Sequence, residues 1–383
     1  MRTIVCVSAL ALAVFSIAAD ASSRTWQVKK DGTGDYTVIQ DAVNHAAPGD
    51  TILIGPGRFT EYHPVNPPAK WPYDGYVEVT VSGLTLIGSG TNQTFLGPEL
   101  RDPNAELPIG ICALSYVTGV SIQNLAIESM ESGVYRSEGG TTTIRQVAFR
   151  SCYKAVMSWC DGGTEVEECT FFDCGYGIST YPPAKDITIR QCSFTNCEGG
   201  TDLNATQNAL IDECIYVGGK VGVQYAEGTR GTVRQCRFLN MTNVAVGVMT
   251  GSRMTIESCQ IHGGWTRLWA SNFSTVTCLA TAISGGSYST VEVSGSTATI
   301  NGCHILHDAG PSVRLTAFVN PPIATLDFTG NYWGTDSADS LASWIIDHND
   351  VPAVNAIVDF DPFSAAPLPA EQKSLGSVKN LYR

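Results

Sequence analysis

A large apolar residue recurs at Ile127, Phe149, Phe171, Phe194, Tyr216, Phe238, Ile261, Ile283, Ile305 and Phe328, and every step is 22 or 23 residues. A period of that length, sustained over most of a chain, means stacked supersecondary units, none of which can bury its apolar face without a neighbour. Two residues before each of these anchors come Leu125, Val147, Cys169, Cys192, Cys214, Cys236, Cys259, Thr281, Cys303 and Leu326. Five before come Ile122, Ile144, Val166, Ile189, Ile211, Val233, Ile256, Cys278, Ile300 and Ile323. The even offset between anchors and first row is the period of a strand with one buried face. Two residues after the anchor, Asp173, Asn196, Gly218, Asn240, Gly263, Gly285, His307 and Gly330 are mostly types that tolerate positive φ, which predicts a sharp turn on every coil. A second strand follows that turn, as in Gly133–Val134–Tyr135, Ala155–Val156–Met157, Gly177–Ile178–Ser179, Gly222–Val223–Gln224 and Arg267–Leu268–Trp269. The expected fold is all-β: a right-handed parallel β-helix, a solenoid of 22–23-residue coils with short capping helices at both ends.

The rows account for residues that would otherwise suggest chemistry. Six cysteines fall in the inward row, and Cys152, Cys174 and Cys197 lie three residues after their anchors. Parallel neighbours hold their Cβ atoms near the strand spacing of about 4.8 Å, wider than the roughly 3.8 Å a disulfide prefers, so free buried thiols are expected. No C-x-x-C pair or Cys/His set has zinc spacing. Four residues before the anchor, Arg145, Glu167, Arg190, Asp212, Arg234 and Glu257 alternate in sign, which reads as a solvent-exposed ion-pair ladder rather than a catalytic set.

Open β-helix ends template aggregation and need caps. Thr37–Val38–Ile39–Gln40 reads as a capping box opening a helix to about Ala47, with Ile39, Val43 and Ala46 on one face, before a strand from Thr51 to Ile54. Ser340 to His348 reads as a second helix with Leu341, Trp344 and Ile345 inward, followed by a strand near Ala356 to Phe360. Two insertions, His63 to Tyr76 and Pro98 to Gly110, interrupt the early coils. Arg2, the apolar run Ile4 to Ala18 and small residues around Asp20 predict a secretory signal peptide over 1–21. The domains are then the signal peptide, a β-helix domain with caps over 22–363, and a linker and tail over 364–383. The expected location is secreted, periplasmic or extracellular, with no membrane span. A net charge of -13 argues against nucleic acid as partner.

The stretch Val28-Lys-Lys-Asp31-Gly32-Thr-Gly34-Asp35-Tyr36-Thr-Val-Ile39-Gln40-Asp-Ala42-Val43, then Gly49-Asp50-Thr-Ile-Leu-Ile-Gly55-Pro-Gly57-Arg-Phe-Thr-Glu61, resembles the opening of pectin methylesterases and the wider pectate-lyase-like β-helix superfamily. Gly330-Asn331-Tyr332-Trp333-Gly334-Thr335 and Val358-Asp359-Phe360-Asp361-Pro362-Phe363 resemble the close of many bacterial β-helix repeat proteins. The resemblance implies the fold. It does not extend to the esterase signatures, since G-x-V-D-F-x-F-G and Gly-Arg-Pro-Trp have no counterpart inside the coils. A pectate-lyase-like activity would imply calcium held by acidic residues with an Arg or Lys base, and no compact cluster matches.

Two functions stay open. One is a carbohydrate-active enzyme, in which Tyr135, Trp159, Tyr181 and Trp269 stack on sugar rings beside Asp161, Glu165 and Asp202, with Lys154, Lys185 and Lys220 as bases or anion binders. The other is a non-catalytic extracellular or envelope protein that uses the solenoid as a rigid binding surface. Polysaccharide is the expected partner of the first, and glycoside hydrolysis would demand two carboxylates at a set separation.

Overall fold

The computed structural model describes residues 23–65, 73–100, 108–114, 116–137, 139–159, 161–318 and 322–367. The segment 1–21, where a signal peptide is expected, and the tail beyond residue 367 lie outside the described residues. The described chain winds into a right-handed parallel β-helix with three sheets, here A, B and C, of 14, 11 and 13 strands. One coil shows the plan: Val120–Gln123 in sheet A, Ala126–Glu128 in sheet B, and Ser132–Arg136 in sheet C. Each strand pairs in parallel with its equivalents one coil away, in constant register. Among the described residues the exception is His63–Val65, which folds back antiparallel on Tyr73–Val79 in the first insertion.

Two left-handed residues per coil bend the chain around sheet B. The turn row expected from sequence is present at Asp173, Asn196, Gly218, Asn240, Gly263 and Gly285, whereas His307 does not adopt positive φ. A second such row, between sheets A and B, comprises Asn124, Gln146, Glu168, Gln191, Glu213 and Gln235 with φ between 51 and 59°. The residue two before each anchor therefore follows a bend, and the residue five before belongs to sheet A.

The anchors stack as a column of rings inside the solenoid. Phe149, Phe171, Phe194, Tyr216 and Phe238 stack in turn with nearly parallel planes, centroids 4.5 to 5.0 Å apart. Their width favours glycine on the facing strand, which carries Gly133, Gly177, Gly200 and Gly222 with Ala155 among them; a Cβ at Gly200 would fall 2.6 Å from the Tyr216 ring and one at Gly177 2.7 Å from Phe194. From Ile261 onward isoleucine replaces the ring, and the same inward position on sheet C becomes Ala245, then Arg267. The Arg267 guanidinium is fully buried, donating to the Ser284 carbonyl at 2.9 Å and to the Gly264 carbonyl, and burial pushes its pKa down to about 10.

The last coil departs from the sequence spacing. Thr299 pairs with Asp327 and His304 with Tyr332, which places Phe328 beside Ile300 in sheet A and Trp333, not Phe328, beside Ile305 in the anchor column. Ile323 is 45% exposed and does not belong to an inward row. The cause is extra chain between Val313–Thr316 of sheet C and Ala324–Asp327 of sheet A, which lengthens that coil.

Both caps differ from expectation in detail. The first helix, α1, spans Ile39–His45 with Val38 as N-cap and no side-chain cap, so Thr37 does not form a capping box. Gln40 instead bonds the strand below it, donating to the Glu78 carbonyl at 3.2 Å and accepting from its N–H at 2.7 Å. Ile39 and Val43 are buried against the first coils. The second helix, α2, is confined to Ala338–Ser343, capped by Ser337, and Ile345 enters a short strand paired with Val313.

All eleven described cysteines are buried and unbridged. Nine of the thiols point at carbonyls of their own and the preceding coil, as with Cys192 toward Arg190 at 3.2 Å and Val166 at 3.6 Å. Burial raises the Cys112 thiol to about 12, and the hydrogen bond with Cys174, together with burial, raises that of Cys197, so these two thiols are chemically quiet. In the charged ladder on sheet A, Arg145 bonds Glu167 (Nε to Oε2, 3.0 Å) and Arg234 bonds Asp212 at 2.8 Å.

Candidate functional site: the outer face of sheet C

The outer face of sheet C is where polar, aromatic and charged side chains meet. Its central row runs Tyr135, Met157, Ser179, Asp202, Gln224, Gly247, Trp269, Glu292 and Arg314 on successive strands. A flanking row contains Lys154 and Tyr176, and the opposite edge carries Trp159 and Tyr181.

Three of these elements converge. Trp159 and Tyr181 stack with centroids 5.0 Å apart and planes 23° off parallel, and the Trp159 indole N–H is buried without a hydrogen-bond partner. The Lys154 ammonium lies 5.2 Å from the centre of the Tyr181 ring and 5.4 Å from that of Tyr153. Tyr176, one strand on from Lys154, lays its ring over Gly199, where a Cβ would stand 2.7 Å from it. Asp202 accepts from the Gln224 amide at 3.2 Å. Burial holds the Asp202 carboxyl above its ordinary pKa, against the pull of Asn204, Gln224 and Lys154, and with help from Glu227. Burial likewise raises the Tyr176 phenol, with Asp202 adding to the effect.

The remaining sequence candidates scatter. Tyr135 stands in the central row but keeps only 9% of its surface, which leaves little ring face for a ligand. Asp161 is exposed on the turn leaving sheet C and accepts the Gly139 N–H at 3.2 Å. Lys185 is exposed on the next such turn, bridged to Gln207. Glu165 belongs to sheet A, on another face. Lys220 lies at the corner between sheets B and C, paired with Glu198. Trp269 is in the central row, three strands beyond Asp202, with its indole edge against the space Gly247 leaves open.

Residue spacing did not single out Trp265, Tyr288 or Phe273. Trp265 and Tyr288 stack at 5.0 Å with planes 10° apart on the edge where the chain enters sheet C, and the Arg314 guanidinium lies 4.7 Å from the Tyr288 ring centre. Phe273 projects from the turn leaving sheet C and is 86% exposed. The signal was present as the offsets of four in Trp265, Trp269 and Phe273, which straddle one strand.

Within the central row no second carboxylate stands close to Asp202, although Glu227, off that row, is near enough to raise its pKa. Glu292, the next carboxylate in the central row, is four strands from Asp202, about 19 Å at the usual strand spacing. Glycosidases hold their two carboxyls roughly 5–9.5 Å apart. Among the described residues no group of three or more His, Cys, Asp or Glu could hold a metal ion.

The family described as right handed beta helix region matches residues 110–246 and 209–332, together more than half of the chain. The chain belongs to that family. No curated protein matches it in sequence. Among solved structures, it is similar to the Agl-KA catalytic domain at 11% identity and a TM-score of 0.52, covering 90% of this chain and 69% of that one. The Azotobacter vinelandii mannuronan C-5 epimerase AlgE6 A-module matches at 17% identity and 0.49, over 86% of this β-helix and 95% of its own chain. PfbA, a surface adhesin of Streptococcus pneumoniae, matches at 9% and 0.38, over 88% and 91%. At these identities the likeness is one of fold. Among the described residues no helix is long and apolar enough to cross a membrane.

Proposed function

We propose that this protein is an extracellular β-helix that binds polysaccharide on the outer face of sheet C, centred on Lys154, Asp202 and the Trp159–Tyr181 pair. The observation that carries this reading is that stacked pair, a flat aromatic ledge whose buried indole N–H has no partner, set beside a lysine and a half-buried carboxylate. Aromatic faces take the apolar faces of sugar rings while neighbouring polar groups fix hydroxyls or carboxylates. Lys154 favours a uronate-containing chain, against the protein's negative net charge.

A second reading, proton-transfer catalysis on the bound chain, is favoured by one observation: a carboxyl held above its ordinary range, such as Asp202, is tuned toward general acid–base work. Both readings are tested with purified protein and pectate, alginate and neutral glucans, with and without calcium. Affinity electrophoresis reports binding, and ultraviolet absorbance reports unsaturated product. Retardation without absorbance supports the binding protein, both together support a lyase, and neither with any polymer refutes the polysaccharide reading.

A further inference from the structure

Phe273 occupies a place where the fold calls for glycine. The turns that leave sheet C stack in register, and where they carry a second left-handed residue it is Gly228, Gly251 and Phe273 in successive coils, with φ of 78, 70 and 63°. A phenylalanine there is strained, and its ring is rewarded by nothing inside the molecule, since it is 86% exposed. In the same coil Trp265, 52% exposed, stands on the other edge of sheet C, and Trp269 lies on the floor between them. Trp265 is backed by Tyr288, which is in turn covered by Arg314.

We propose that Trp265, Trp269 and Phe273 form a distal carbohydrate subsite, a transverse aromatic bar on sheet C that grips sugar rings of the same polysaccharide chain held at Lys154 and Asp202. The inference rests on the binding function proposed above. Continuity supports it, because both places share one uninterrupted sheet, and the bar stands three strands beyond Asp202, about 14 Å. Mixed chemistry supports it too. Arg314 and Glu292 continue the central row past the rings, so the bar offers hydrogen-bonding and charged groups as well as apolar faces. A chain long enough to span both places is held at both, and a short oligomer is held at one.

The test compares wild type, Trp265→Ala/Phe273→Gly and Trp159→Ala/Tyr181→Ala in gels containing whichever of pectate, alginate or glucan retards the wild type. Acid-trimmed fragments of a few sugars serve as competitors. The distal variant is expected to bind the polymer about tenfold more weakly while a short fragment competes with it as well as with wild type. Circular dichroism melting checks that the variant is folded, and Phe273→Gly alone, which restores the glycine of the two preceding coils, gives a second folded probe. Polymer binding unchanged in both Phe273 variants overturns the distal subsite and leaves the proposed function standing. No retardation of wild type in any gel removes both. A wild-type dimer by sedimentation that Trp265→Ala/Phe273→Gly converts to monomer assigns the bar to self-association and also overturns the subsite.

Discussion

The coils from Phe149 to Phe238 carry an inner column of rings on sheet B, whereas those from Ile261 to Ile305 have isoleucine there and a cluster of rings on the outer side of sheet C. In the first group the anchor rings stack in parallel inside, the facing strand yields to most of them with glycine, and Trp159 and Tyr181 lie outside as well. In the second the interior is isoleucine, a buried arginine fills the space opposite, and the rings stand outside at Trp265, Trp269, Phe273 and Tyr288. Inside, a ring is supported by every neighbour and explains itself by packing. Outside, Phe273 costs backbone strain and touches little, so its explanation lies in something the protein meets.

Mutations that exchange the two logics separate them. Phe194→Ala should be the most damaging, costing about 3–5 kcal/mol through the cavity left between Phe171 and Tyr216, read as a drop in the denaturant midpoint. Gly200→Ala should cost about 1–3 kcal/mol, because its methyl meets both the Tyr216 ring and the Gly222 carbonyl at 2.6 Å; an unchanged midpoint would show that the column is looser than described. Phe273→Gly reverses the sign and should raise stability by up to about 1 kcal/mol, since a left-handed strain is released and little contact is lost.

Asp202 gives the outer face a pH signature. Its folded pKa lies above the unfolded value, so the folded state binds that proton more tightly. The stability this adds is fully present below the unfolded pKa and is lost as pH rises through the folded one. Asp202→Asn should therefore gain on wild type as pH rises from about 3 toward 7, in melting curves across that range. The smallest effect is expected on sheet A, where Arg145→Ala should change stability by under about 0.5 kcal/mol because Arg145 is exposed and its partner Glu167 is only partly buried.

Much of the solenoid was legible because a stacked fold repeats its inward side chains at the length of one coil, and Phe149 to Ile305 obey that rule without interruption. It failed at Phe328, where added chain between two strands shifted the count and Trp333 took the anchor place. The row at Asn124, Gln146 and Glu168 was invisible because polar residues, unlike glycine, do not advertise a left-handed backbone. The Trp159–Tyr181 pair and Asp202 were named from sequence, but their convergence with Lys154 and Tyr176 depends on interstrand register. Trp265 and Tyr288 were missed for the same reason, being 23 residues apart in sequence and in ring contact in space.

The most direct test of a polysaccharide held on sheet C is affinity electrophoresis of wild type, Trp159→Ala/Tyr181→Ala and Arg145→Ala in pectate, alginate and glucan gels. Retardation of the wild type and of Arg145→Ala by at least one polymer, lost in Trp159→Ala/Tyr181→Ala, is the predicted result. Equal migration of all three proteins with and without every polymer, or retardation that survives loss of the ring pair, would contradict it.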